Sequence, residues 1–404
     1  MDVPKMAWRN VWRNRRRTLV TVGAMTFGLT AMILAAGLME GFLRDLENDV
    51  LDLEVGDVQI VAGDYRDNPS IYTQIEDPEA LLAQLDEAGL PATARLLAFG
   101  LVAGGESAAG ASFFGVNIER DARVSLIHEQ LVEGEWLRPD DDKGVVLGRR
   151  LARTLDVGTG SELVILTQGA DGSMANDLYT VRGVLRGISD GIDRSGVFMT
   201  EAAFRELLVV PAGAHLIIVR RPPTLDLAAA EGQVNALAPE HDVRTWRQLM
   251  PTIASYIDSA RGMIFFLFII MYIAIGILIL NAMLMAVFER VREFGVLKAL
   301  GVGPTEVLLL ILTESAIQTA LALGIGVAIA VPAVLYLART GIDLGSLAGV
   351  SMMGMAMNPI WRAEINAQVF TGPIVALVAI VTVAVLYPAF KAALIRPVDA
   401  IHYP

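Results

Sequence analysis

Four long apolar runs set the plan of this chain: residues 18–39, 263–288, 315–338 and 365–390, none containing a charged side chain. At 1.5 Å rise per residue the second run makes a helix about 39 Å long, more than the roughly 30 Å of a bilayer's hydrocarbon core. The pattern predicts four membrane helices, TM1 to TM4. Between TM2 and TM3 the apolar character breaks at Glu289-Arg290-Val291-Arg292-Glu293 and resumes fully only at Ser315. The chain therefore leaves the bilayer, makes a charged turn over residues 289–314 at one face, and re-enters.

The gap between TM1 and TM2 is much longer, residues 40–262. Phe42, Leu46, Val50 and Leu53 recur at helical spacing, as do Trp246, Leu249, Ile253 and Ile257, so both membrane helices are expected to continue as amphipathic stalks. Between the stalks, residues 57–62, 112–118, 144–147, 162–167, 179–185, 196–200 and 216–220 read as short strands. Residues 77–88, 149–155, 201–208 and 225–237 read as helices. This is an α+β domain of about 200 residues, large enough for its own core. Strands dominate residues 131–198, which could form an inserted β-rich subdomain. The Met- and Gly-rich link 339–364 is too interrupted to span and reads as a loop or short interfacial piece.

Charge fixes the sides. Residues 1–17 hold one acid against six basic residues, with Trp8 and Trp12 four apart, the pattern of an interfacial helix. A signal peptide would also begin with a basic segment, but 22 apolar residues exceed a typical h-region, so the run reads as an uncleaved span. The positive-inside rule then puts both termini in the cytoplasm, with 391–404 as a tail, and makes 40–262 and 339–364 extracytoplasmic. Residues 40–262 carry 36 acidic and 19 basic side chains, a net of −17, while the rest carries 8 and 13. Such acidity argues against nucleic acid as a partner. With no cysteine, disulfides and thiolate metal sites are excluded.

Catalytic signals are weak. Gly187-Ile188-Ser189-Asp190-Gly191 matches a nucleophile elbow, but that motif needs a helix directly after the serine, and residues 193–198 read as leading to a strand. A tight surface turn is the expectation. His128, His215, His241 and His402 lack metal-ligand spacing, and Asp140-Asp141-Asp142 lacks the alternation of a calcium loop, reading as a solvated turn. No metal site is expected. Glu314 opens TM3 and reads as an interfacial acid near a helix N-terminus rather than a proton relay. No phosphate-cradling G-x-x-x-x-G-K-[ST] loop occurs in the sequence.

The segment Glu289-Arg290-x-Arg292-Glu293-Phe294-Gly295-Val296-Leu297-Lys298-Ala299-Leu300-Gly301 resembles the stretch after the second span in ABC-transporter permeases of the MacB/FtsX superfamily. Arg9-Asn10-x-x-Arg13-Asn14-Arg15-Arg16-Arg17-Thr18 resembles that superfamily's opening, and Tyr387-Pro388-Ala389-Phe390-Lys391 through Arg396-Pro397-Val398-Asp399-Ala400-Ile401 its close. Met39-Glu40-Gly41-Phe42-x-x-Asp45-Leu46 brings the likeness nearest to the lipoprotein-releasing (LolC/LolE-type) permeases. The resemblance implies a non-catalytic, multi-pass subunit of the bacterial inner membrane with a periplasmic domain. It implies no cofactor on this chain, ATP and Mg being bound by two copies of a separate ABC ATPase, and a second permease chain, identical or paralogous. Glu289, Arg290, Arg292, Glu293, Lys298, Gly301, Pro304, Thr305 and Glu306 would couple to that ATPase, with 301–307 as the coupling helix. Phe42, Leu43, Leu46, Met263 and Phe266 would face membrane lipids or the acyl chains of a lipoprotein cargo, which a periplasmic acceptor then receives; ordinary helix packing is the plain alternative. A mechanotransmitting regulator of an envelope hydrolase or of a tripartite efflux partner, or a ligand-sensing domain, fits the same architecture.

Overall fold

The computed structural model describes residues 2–13, 15–345, 351–352, 355–356 and 360–395. The chain divides into a helical unit, Met1–Arg44 with Asp258–Leu344 and Ile360–Pro404, and a sheet unit, Asp45–Ile257 with Gly345–Pro359. The part of the family-like close from Arg396 to Ile401 lies outside the described residues, as does most of the 391–404 tail.

The long helices are α1 (Val3–Arg13), α2 (Arg15–Val50), α3 (Pro251–Phe288), α4 (Val291–Ala299), α5 (Pro304–Thr340) and α6 (Ala367–Leu394). Four segments, Thr18–Val55, Pro251–Met285, Pro304–Thr340 and Ala367–Leu394, are long and apolar enough to cross a membrane. Inside the helical unit small residues let these helices close up. Gly28 of α2 lies against Ile275 of α3, and Gly326 of α5 against Leu29 of α2, the close approach typical of helix pairs in lipid. Thr26 and Thr30 of α2 donate to the Ala322 and Gly326 carbonyls of α5, one turn apart. α1 buries Ala7 and Val11 and leaves Trp8 and Trp12 half exposed, edge to face at 5.9 Å.

The link after α5 is more structured than a loop. Gly341, at φ +68°, ends α5, and Ile342–Asp343 pairs antiparallel with Ile360–Trp361. The returning strand crosses the end of α2: Phe42 packs on Trp361 at 4.9 Å, the Glu364 N–H donates to the Gly37 carbonyl, and Arg44 pairs with Glu364. A Cβ at residue 41 would overlap the Arg362 carbonyl oxygen, so only glycine fits there.

The sheet unit is built on ten strands: β1 (Val58–Val61), β2 (Ala92–Gly104), β3 (Ser107–Val116), β4 (Leu131–Gly134), β5 (Gly144–Leu147), β6 (Glu162–Gln168), β7 (Met174–Leu185), β8 (Gly196–Thr200), β9 (Leu216–Val219) and β10 (Asp242–Thr245). Their order is β10-β1-β9-β2-β3-β8-β5-β7-β4, with β6 bridging β2 and β7. Residues 131–198 therefore do not form a separate subdomain. β8 pairs parallel with β3 and β6 antiparallel with β2, so the hydrogen-bond ladder runs unbroken across the expected boundary. Helices Pro78–Glu87 and Leu227–Leu237 bury Leu81, Leu82, Leu85 and Val234 with Ile60 and Ile217 of the sheet.

The stalk ends meet inside this unit. Val50, Leu51 and Val55 pack on Trp246, Ile253 and Ile257. Leu53, expected on the same stripe, instead enters the core with Val116, Val146 and Phe198. The cause is a π-helical turn at Leu51–Val55, whose i→i+5 bonding shifts the register of the face. Asp52 and Asp57 then hold this junction through Arg220 and Arg221.

Candidate functional site

The charged turn folds differently from expectation. Residues 301–307 are not a helix of their own. α4 precedes them and stops at Gly301, φ +95°, where the Val302 N–H returns to the Leu297 carbonyl. α5 then starts at once: Gly303 is its N-cap, Pro304 takes the first position, and the Glu306 carboxylate accepts the Gly303 N–H at 3.2 Å. The free-standing short helix of the turn is thus 291–299, and Glu306 serves the start of the α5 membrane helix.

Glu314 also differs. It lies ten residues inside α5, buried, not in its first turn. Arg290 donates through Nη1 to both of its carboxylate oxygens, at 3.0 and 2.7 Å, and Asn10 of α1 donates to Oε1 at 2.5 Å. Arg290 also reaches Glu293 at 2.8 Å and lies 5.1 Å from the Phe294 ring centre, while Glu293 accepts from Arg13. Burial works against the guanidinium charge, but Glu314 and Glu293 outweigh it and raise the Arg290 pKa. This cluster ties α1, the α3–α4 turn and α5 into one body.

Lys298 is committed elsewhere. Its ammonium donates to the carbonyls of Ala392, Ala393 and Ile395, closing the C-terminal end of α6, and burial lowers its pKa. Of the coupling candidates, Arg290, Glu293, Lys298 and Glu306 thus hold the turn together. Glu289, Arg292, Gly301, Pro304 and Thr305 stand exposed on it. With them stand Val296, 49 % exposed, and Leu300, 78 % exposed, which charge-based reading passed over. Their signal was available: two apolar residues four apart on a helix whose buried face is Val291, Phe294 and Gly295.

At the other end of the spans a cavity of about 270 Å³ opens between α2, α3 and α6. Leu43, Ile264, Phe265, Phe268, Val369 and Pro373 supply its apolar wall, with Glu40, Arg261 and Tyr272 also on its lining. Leu43, a buried residue of α2, is on that lining. Phe42 is against Trp361 instead, and Leu46 packs beside the stalk cluster. Met263 and Phe266 are 74 % and 66 % exposed on another face of α3 and do not line the cavity; Phe265 and Phe268, each two residues further along, line it instead.

The remaining signals resolve as structure. A helix does follow Ser189, Asp190–Ser195, contrary to expectation, but Ser189 is buried as its N-cap, not on a surface turn. Its hydroxyl accepts the Ile192 N–H at 3.4 Å. Asp141 is not solvated: it accepts from the Arg138 N–H and the Arg182 guanidinium. His215 sits in the core, its Nδ1 accepting the Leu97 N–H at 3.0 Å. Among the described residues no cluster of three metal-ligating side chains occurs.

Comparison with known proteins agrees with this architecture. The profile of the MacB-like periplasmic core domain matches residues 18–237, and that of the FtsX-like permease C-terminal region matches residues 264–397. The chain is 25 % identical to the macrolide export ATP-binding/permease protein MacB of Hahella chejuensis, over 98 % of this chain but only 59 % of that protein. It is 21 % identical to the lipoprotein-releasing system transmembrane protein LolC of Neisseria meningitidis, over 96 % of this chain and 94 % of that one. The periplasmic region of MacB from Actinobacillus actinomycetemcomitans aligns with 49 % of the chain at 14 % identity and a TM-score of 0.37. The chain belongs to the MacB/FtsX/LolC family of ABC-transporter permeases.

Proposed function

We propose that this chain is the permease subunit of an inner-membrane ABC system in which a separate ATPase drives extraction of lipid-anchored cargo, lipoproteins above all, at the outer face. The ATPase, with ATP and Mg, docks on the exposed side of the turn formed by Glu289, Arg292, Val296, Leu300, Pro304 and Thr305. Both termini and that turn face the cytoplasm, and residues 45–257 face the periplasm. The helices α2 and α3 carry the motion of the turn along the spans to the stalks, and a second permease chain and a periplasmic acceptor complete the system.

The observation that carries the cargo reading is the lateral cavity. Its wall of Leu43, Phe265, Phe268 and Val369 suits an acyl chain, and Glu40 and Arg261 suit a polar head. The spans themselves hold no charged side chain at mid-depth that would mark a polar conduit. The similarity to LolC over nearly the full length of both chains supports the same choice.

The test is release. The chain is reconstituted with its ATPase in lipid, loaded with a triacylated lipoprotein, and given ATP and a soluble acceptor. ATP-dependent transfer is the expected result, reduced by Phe268→Asp. Tight lipoprotein binding with no ATP-dependent transfer would leave the regulator reading, in which the chain moves a partner and carries nothing.

A further inference from the structure

The link between α5 and α6 holds a methionine cluster outside both the proposed docking surface and the lateral cavity. Four of the chain's 16 methionines, Met352, Met353, Met355 and Met357, fall within six residues. Of that run the structure describes two short strands, Ser351–Met352 and Met355–Ala356, paired antiparallel. Met352 stands directly opposite Met355 in their register. Residues so placed share one face of the ribbon, with Cβ positions about 5 Å apart.

Apolar pairing alone does not call for this composition. Strand pairs favour β-branched and aromatic residues, whereas methionine is a flexible filler of irregular gaps. Methionine also carries what leucine, its near match in volume, lacks: a polarisable thioether sulfur. Residues 344–361 contain no Asp, Glu, His, Lys or Arg, and the chain has no cysteine. The thioether is thus the soft donor of this segment, with no carboxylate or imidazole beside it in the sequence.

We propose that Met352 and Met355 bind a soft monovalent cation, Cu(I), through their thioethers. Magnesium and calcium take oxygen ligands and structural zinc takes thiolate or imidazole, whereas thioether sulfur selects Cu(I). The antiparallel register sets the two residues side by side before the metal arrives, which cuts the ordering cost of binding. A thioether has no proton to lose, so capture here is independent of pH, unlike capture by histidine or a carboxylate. The site needs neither the ATPase nor the lipid-anchored cargo, and failure of either leaves it standing.

The test titrates the full chain, in nanodiscs and chloride-free buffer, with Ag(I) as the redox-stable stand-in for Cu(I). Saturable binding of one equivalent is expected, equal within about twofold at pH 5 and pH 7.5, where an imidazole site would weaken on protonation. Joint Met352→Leu and Met355→Leu should weaken binding at least tenfold. Met174→Leu, at a methionine 81 % exposed on the sheet unit, should leave it unchanged. In the wild-type chain with methyl-labelled methionine, Ag(I) should first shift the two methyl signals that the single leucine variants remove, a readout that does not depend on the double variant folding. No saturable binding, wild-type affinity in the double variant or an equal loss in Met174→Leu would each overturn the proposal. So would weakening at pH 5, or methyl shifts confined to other methionines.

Discussion

Arg290 and Glu314, 24 residues apart, meet as a buried two-oxygen ion pair between the α3–α4 turn and α5. Such a pair is poor evidence of net stability, since desolvating both charges offsets much of their attraction, but removing one partner strands the other. Glu314→Leu alone should therefore lower stability by about 3–5 kcal/mol. Joint Arg290→Met and Glu314→Leu should recover a large part of that loss, though not the contact with Glu293. Thermal unfolding of the chain in nanodiscs checks this, and a double variant as unstable as Glu314→Leu would contradict it.

Lys298→Ala should act on stability and not on docking. Three carbonyls at the end of α6 lose their donor, at a cost of roughly 1–3 kcal/mol if they stay dry. ATPase affinity, measured on the same preparation, should remain within about twofold of wild type. A large loss of affinity at an unchanged unfolding midpoint would return Lys298 to the docking surface.

Gly41→Ala should be costly because its Cβ would overlap the Arg362 carbonyl oxygen. Overpacking of this order costs about 1–3 kcal/mol. Gly372→Ala, facing open space in α6, is the control and should be neutral or slightly stabilising. Equal unfolding midpoints for the two variants would mean that the strand does not cross α2 as described.

His215 should make the sheet unit acid-sensitive. Its Nδ1 accepts from Leu97, which leaves Nε2–H to donate to the Ile71 carbonyl, so the ring is held neutral. Burial lowers its pKa below the ordinary value of 6.5, with the Ile71 carbonyl opposing. The unfolded chain then takes up the proton first. The stabilisation is complete above about pH 6.5 and is lost as pH falls toward the lowered value. Unfolding midpoints between pH 8 and 5 should fall less steeply in His215→Gln than in wild type; parallel curves would refute this.

How much of this could be read from the sequence varies by element. The apolar runs gave the spans, because in lipid the choice between helix and exposure leaves little else. β2 was missed altogether. Its Ala-Thr-Ala-Arg-Leu-Leu-Ala sequence carries helix formers and weak alternation, and it is a strand because β9, β3 and β6 pair along it. Leu53 was misplaced by one π-helical turn that periodicity alone does not announce. In the turn, charge drew attention to Arg290, Glu293 and Lys298, yet their partners, Glu314, Arg13 and the end of α6, are set by tertiary packing. Asn10 and Glu314 are 304 residues apart. Val296 and Leu300 carry a signal of their own in the sequence, two apolar residues four apart on a helix whose buried face is Val291, Phe294 and Gly295.

The affinity of the free-standing ABC ATPase of the same genome for the chain in nanodiscs tests the proposed docking on the exposed side of α4 most directly. Leu300→Asp, at the most exposed apolar position of that surface, should weaken binding at least tenfold, about 1.4 kcal/mol or more, with the unfolding midpoint unchanged. Wild-type affinity in Leu300→Asp, or no binding by the wild-type chain, would contradict the account.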